Sequence, residues 1–293
     1  ATSSNAIPRQ LRRQSPSARD SIPLSFAQER MWFLHKLEPD SFAYHITFAM
    51  LTNEVVNTQN MSNALLSVVD RHDALRTLFA IDNNGTPFGR LVPSSAACAL
   101  ESVVLSPGTD INSDAARRAV ANNAALPFDL ENGPLVRAVV VTSGSVSVVG
   151  FCIHHICFDG WSMPVFLREL SIAYRGVALD TDLAIGYSDF AAWQREQLAD
   201  ESAVAMIKFW RTALDGVEPI ALSSPSDVKT GSGNETCVID AATVANMQTL
   251  CQANGVTLFI FLLAALEVQL ALTTGQTNFA IGTPVSGRSH IEL

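Results

Sequence analysis

The sequence predicts an α+β fold, a mixed sheet with flanking helices, on two observations. Runs of β-branched and alternating apolar residues come in pairs about short turns, most plainly 135–142 and 146–153 around Ser143-Gly144-Ser145. Stretches of helical periodicity fall between and after such pairs in irregular order, which favours α+β layers over a strict parallel winding. The 293 residues allow one large or two ordinary domains. With 48% hydrophobic and 16% charged residues, the chain reads as soluble and globular with ample core.

In order, residues 1–20 carry Ser, Pro, Arg9, Arg12, Arg13 and Arg19 with few core formers, so they read as an interdomain linker. A first lobe is expected over 21–216. Ser25-Phe26-Ala27-Gln28 has the spacing of a capping box. The helix it opens is expected to turn Phe26, Phe33, Leu34 and Leu37 to the core and to stop before Pro39. A strand over 43–51 follows, then a helix over 62–72 with Leu65, Val68, Val69 and His72 on one stripe. A strand over 77–81, an Asn84-Gly85 turn and a return strand to Val92 come next. A weaker helix covers 114–123, ahead of the central hairpin. Beyond the hairpin, Pro164 suits the first turn of a helix that places Phe166, Leu170, Ala173 and Tyr174 on one face and stops at Gly176. Further helical runs open at Tyr187 and Ala203. Residues 217–236, rich in Ser, Pro and Gly, read as an inter-lobe linker. A partial second lobe over 237–293 is expected to hold a strand at 236–239, a helix at 242–253, a buried helix at 258–272 and a strand at 278–281.

The formal charge of −9 argues against nucleic acid as a partner. All but three of the 19 basic residues are Arg, which suits carboxylate or phosphate pairing. The five cysteines are odd in number and lack C-x-x-C spacing, so they read as reduced thiols of a cytoplasmic protein. The greasiest segment, 258–272, is interrupted by Glu267 and Gln269 and is too short to span a bilayer. No membrane association is expected.

The chemistry gathers at His154-His155-Ile156-Cys157-Phe158-Asp159-Gly160-Trp161-Ser162, where the hairpin's second strand becomes a loop. On an extended strand the two imidazoles point to opposite faces, so one is the working base and the other is packed. A neutral imidazole accepts a proton from an amine or hydroxyl more readily than any other side chain here. Asp159 is open to three readings: it orients the histidine, pairs with a distant Arg to brace the loop, or is an ordinary turn carboxylate. No Ser sits in a G-x-S-x-G elbow. Cys157 reads as core before nucleophile, and alternate residues diverge too far for a zinc site from Cys152, His154, His155 and Cys157. From bare chemistry this is a transferase or hydrolase with one His as base, or a metal-free binding module.

The motif His154-His155-x-x-x-Asp159-Gly160 resembles the signature of condensation domains of nonribosomal peptide synthetases, within the chloramphenicol acetyltransferase-like superfamily. Ordered companions support it. Leu24-Ser25-Phe26-Ala27-Gln28-Glu29-Arg30-Met31-Trp32-Phe33-Leu34 is similar to the family's opening motif. Arg71-His72-Asp73-Ala74-Leu75-Arg76-Thr77-Leu78-Phe79 is similar to its second, with Asp73 where Glu is usual. Phe128-Asp129-Leu130 with Gly133-Pro134-Leu135 fits the segment before the hairpin. Tyr187-Ser188-Asp189-Phe190-Ala191-Ala192-Trp193-Gln194 resembles the fourth motif, and Ile281-Gly282-Thr283-Pro284-Val285-Ser286-Gly287-Arg288 the start of the fifth.

The resemblance implies a chloramphenicol acetyltransferase-like two-lobe fold with a tunnel between the lobes, the second lobe being incomplete here. It implies amide formation between a donor aminoacyl or peptidyl thioester and an acceptor aminoacyl thioester. Both ride on phosphopantetheine arms of upstream and downstream peptidyl carrier proteins, beside an adenylation domain of the same synthetase. No cofactor or metal is expected in the domain itself. His155 would be catalytic, and Gly160 would clear space for the arm. His154, Asp159, Trp161 and Ser162 would be structural, with Arg288 or Arg76 as the partner of Asp159. No heterocyclising DxxxxD motif replaces the histidines, and Trp161-Ser162-Met163 differs from the Val-Ser-Trp of epimerising relatives; the opening motif and the Phe128-Asp129-Leu130 region resemble those of elongation types with an L-configured donor. Without the later motifs, strand partners in the second lobe are expected to be unfilled and the 258–272 helix partly bare, and the chain alone is expected to be inactive or to need cover from another copy. A catalytically silent carrier-docking module and a stand-alone acyltransferase of the superfamily are the alternatives.

Overall fold

A computed structural model describes residues 21–180, 183–198, 201–222 and 235–285. The expected linker at 1–20, most of that at 217–236, and Arg288 lie outside them. Contacts divide the chain into two units, the second covering 201–285.

In the first unit, a two-residue strand β1 (Ile22–Pro23) leads to helix α1 (Phe26–Leu37). Its capping box is present as the spacing predicts: Ser25 accepts from the Gln28 amide and the Gln28 side chain from the Ser25 amide. The buried stripe differs from the expected one. Gln28, Met31 and Trp32 are buried, whereas Phe26, Phe33 and Leu37 are exposed. Positions 28, 31, 32 and 35 make a proper helical stripe, but two of them are Gln and His, so hydrophobicity alone selects the wrong face.

Strand β2 (His45–Thr52) precedes α2 (Thr58–Arg71), which starts a turn earlier than expected because the Asn57 side chain caps it. A 3₁₀ turn at Asp73–Arg76 leads into β3 (Thr77–Ile81) and β4 (Pro87–Leu91). With β1 they form a small antiparallel sheet ordered β1-β4-β3. A short helix α3 (Ser94–Ala97) and strand β5 (Cys98–Val104) follow, then α4 (Asp114–Ala124). The predicted hairpin forms from β6 (Val136–Ser143) and β7 (Val146–His154).

The main sheet runs β2-β7-β6-β5, antiparallel except for the parallel β5–β6 pair. Strand β7 is thus central, and its face alternation sets what surrounds the motif at its end. Phe151 packs against Phe48 and against Phe166 of α5 (Ser162–Tyr174). Gly150 turns to the opposite face, where a Cβ would meet Val120 of α4 at 2.8 Å and Val139 at 3.2 Å. The core around Phe79, Leu65, Val68, Val69 and Ile153 joins sheet, α1, α2 and α5. Buried Glu169 ties α5 to α2, accepting from His72 Nε2 at 2.6 Å and lying 3.3 Å from Arg71 Nε. Helix α6 (Tyr187–Gln197) completes the unit.

The second unit holds α7 (Glu201–Ala213), α8 (Ala241–Asn254) and α9 (Leu258–Thr274). The strands expected at 236–239 and 278–281 do not form, because no neighbouring strand among the described residues takes up their backbone groups. Apolar content alone predicts a buried helix here, and the incomplete lobe predicts a partly bare one; the second expectation matches. No residue of α9 is buried among the described residues, and Phe259, Val268 and Leu272 are exposed. A helix apolar all round needs neighbours on every side. No single described helix is long and apolar enough to cross a membrane.

The close seat of α4 on β7 predicts that Gly150→Ala destabilises the fold by about 1–3 kcal/mol through overpacking. Denaturant unfolding of the variant beside the parent protein checks this.

Candidate active site

The two histidines separate at the end of β7 as the strand geometry predicts. His154 pairs with His45 across β2–β7 and is buried, 2% exposed. His155 has left the ladder and its side chain is exposed. Its amide still donates to the Tyr44 carbonyl at 2.8 Å, and the Tyr44 ring stands edge-on to the imidazole with centroids 6.4 Å apart. Among the described residues, no side chain hydrogen-bonds the His155 ring. Its placement comes from the backbone.

His154 supplies part of that placement. Its Nδ1 accepts from the Ile156 amide at 3.1 Å, which puts the ring proton on Nε2. The ring lies among His35, Tyr44, His45 and Phe128, with centroid distances from 5.4 to 6.4 Å. Burial first, then the nearby His35, His45 and His155, hold its pKa down at about 3. His35 and His45 are also lowered, chiefly by burial. The cluster is thus kept neutral by desolvation.

Phe128 is held from below by Arg137 of β6, whose guanidinium lies 3.9 Å from the ring centroid and donates to the Leu126 and Pro127 carbonyls. Gln28 reaches the loop from the other side, its Nε2 donating to the Ile156 carbonyl at 3.5 Å. No motif contains His35, His45 or Arg137, and the capping box and opening motif that contain Gln28 do not mark it as a site residue. The β2–β7 and β6–β7 registers and the buried stripe of α1 bring them here.

Asp159 braces the turn locally. Its carboxylate accepts from the Ser162 amide at 2.8 Å and the Ser162 hydroxyl at 2.6 Å. This begins α5 at Ser162, two residues before Pro164, and places a carboxylate at a helix N-terminus, where it is favoured. Arg76 pairs with Asp73 at 2.7 Å and donates to the Val92 carbonyl, so this candidate partner of Asp159 is engaged elsewhere. Arg288 lies outside the described residues. Gly160 is exposed, and a Cβ there would meet nothing within 4 Å. Trp161 is exposed beside it.

Cys157 is buried, its thiol donates to the His154 carbonyl, and burial pushes its pKa to about 12. A thiolate nucleophile is therefore not available there. Among the described residues, no group of His, Cys, Asp and Glu has metal-holding geometry.

His154 makes the domain acid-sensitive. Below its ordinary value of 6.5 the unfolded chain takes up a proton that the folded ring refuses until about pH 3. Stability from this group is whole above pH 6.5 and is lost as pH falls towards 3. His154→Asn should flatten the pH dependence of unfolding free energy across that window by up to about one proton. Denaturant titrations at a series of pH values measure it.

A family model described as Condensation domain matches residues 18–293. One of the linear gramicidin synthase proteins of Brevibacillus parabrevis is 35% identical over 94% of the chain, which spans 6% of that protein. Malpinin synthetase of Mortierella alpina is 35% identical over 95% of the chain, which spans 4% of it. Among solved structures, the SgcC5 protein from Streptomyces globisporus aligns over 92% of this chain and 64% of its own, with TM-score 0.71 and 27% identity. The condensation domain from Monacolin K polyketide synthase MokA aligns over the same shares at TM-score 0.73, and at 24% identity it supports the fold alone. With its motifs in order, its strand-end histidine pair and a match across nearly its whole length, the chain belongs to the condensation domain family.

Proposed function

We propose that the chain is part of a cytoplasmic nonribosomal peptide synthetase. In it, the domain joins a donor aminoacyl or peptidyl thioester to an acceptor aminoacyl thioester, as an elongation type with an L-configured donor. The observation that carries the reading is the exposed His155 ring beside the open space at Gly160, backed by a buried, neutral His154. The thioesters ride on phosphopantetheine arms of upstream and downstream carrier proteins, and an adenylation domain loads the acceptor. The relatives' names, synthases of linear gramicidin and malpinin, support this setting.

The acceptor amine attacks the donor carbonyl, forming the C–N bond and, on collapse, breaking the C–S bond. His155 takes the proton released by the attacking amine and returns it to the departing thiolate, so the transfer is proton-neutral overall. A thioester is already activated, and holding two arms end to end supplies much of the rate. Asp159 braces the turn through Ser162 and, in this proposal, pairs with Arg288. Gly160 leaves room for the arm to pass.

His155→Ala should lower peptidyl transfer between two loaded carriers by about 10²- to 10⁴-fold while carrier binding persists. Intact-protein mass spectrometry of the downstream carrier reads the product. Equal product from variant and wild type would remove His155 as the base, and carrier binding with no product from either would favour a docking module.

A further inference from the structure

We propose that Gln28 is a positioning residue for His155, an inference that rests on the catalytic reading above. Among the described residues no carboxylate or other side chain hydrogen-bonds the His155 ring, and Asp159 directs its Oδ1 to Ser162 instead. Among the described residues the ring is then aimed through the backbone around it and the edge of the Tyr44 ring.

The backbone from His154 to Ile156 is pinned at four points, the first being the His154 carbonyl, which accepts from the Cys157 amide at 3.1 Å and from its thiol at 3.2 Å. The His155 amide donates to the Tyr44 carbonyl at 2.8 Å. The Ile156 amide donates to His154 Nδ1 at 3.1 Å. The Ile156 carbonyl accepts from Gln28 Nε2 at 3.5 Å. Three of these come from the motif itself and from Tyr44, the residue before β2. Gln28 is the one that reaches in from another element, α1.

Gln28 is itself held. Its side chain is 3% exposed and its Oε1 accepts from the Ser25 amide at 3.1 Å, so both ends of the carboxamide are used. Ser25 is fixed in turn by the Tyr187 hydroxyl at 2.9 Å. Gln194 and Arg195 of α6 bind the Phe26 amide and the Leu24 carbonyl on either side of it. A capping box needs only an acceptor at this position, and Glu serves as well as Gln. The amide end of Gln28 is therefore surplus to the cap, and the loop beside His155 is where it goes.

Gln28→Glu separates the two roles, since it keeps the length and the cap's acceptor and removes the donor to Ile156. In the full-length protein it should lower the kcat of peptidyl transfer at least about tenfold, with KM for the loaded carriers within about twofold. The deficit should narrow as pH falls, because the introduced carboxyl regains a donor on protonation. The rate at which diethyl pyrocarbonate modifies His155, read by peptide mass mapping, should change with it. Asn57→Ala, which removes the cap of α2 and touches neither Gln28 nor its partners, should lower the melting temperature with kcat within about twofold of the parent protein. Wild-type kcat and unchanged His155 modification in Gln28→Glu would overturn the proposal. So would losses in both variants that track melting temperature and show no pH dependence. If His155→Ala retained full transfer, the catalytic reading would fall, and the His155 modification rate would still decide whether Gln28 holds that residue.

Discussion

A buried imidazole does the work of a backbone carbonyl at the centre of this domain. Past the end of β7, the His155 amide still reaches the Tyr44 carbonyl but the Ile156 amide has lost its partner strand, and an orphaned buried amide costs free energy comparable to a lost hydrogen bond. His154 Nδ1 accepts that amide, two residues on. The role requires a neutral ring with an open Nδ1, and the apolar shell of Phe128, Tyr44 and the neighbouring imidazoles ensures neutrality by denying the charged form water. His155 is thereby released from the ladder at a defined point with its own ring exposed.

Distant parts of the chain converge on that point through a few polar side chains set in apolar packing. Glu169 anchors α5, the helix that the motif loop feeds, to the end of α2. Arg195 lies over Phe26, pairs with Glu29 and donates to the Leu24 carbonyl, joining α6 to the start of α1. Arg137 organises the segment before the hairpin by satisfying two carbonyls and covering one aromatic face. These buried or half-buried polar contacts join separate elements of the first unit, and satisfied polar groups of this kind specify a unique arrangement.

The second unit follows the same physics with less cover. Helix α9 is apolar on every face and no part of it is buried among the described residues, although α8 packs beside it. Strand formation at 236–239 and 278–281 likewise depends on a neighbour, since extended backbone is stable only when its amides and carbonyls are paired. Local preference was present in both segments and was insufficient.

Much was legible in the sequence. The central hairpin, the Ser25–Gln28 cap and the opposed directions of His154 and His155 all follow from short-range rules: turn chemistry, capping geometry and the period-two alternation of a strand. These depend on covalent neighbours, so the sequence by itself determined them, together with the family. The rest required contacts across long separations. That α1 buries Gln28 and Trp32 and exposes Phe33 follows from what stands opposite it, not from its own hydrophobicity. That His35, His45 and Phe128 enclose His154 follows from strand register and from a loop well upstream of the motif. The local bond from Asp159 to Ser162 and the engagement of Arg76 by Asp73 likewise depend on where side chains come to rest. Only tertiary structure decides such matters, because burial, and with it the cost of charge and the choice of hydrogen-bond partner, is a property of the packed whole.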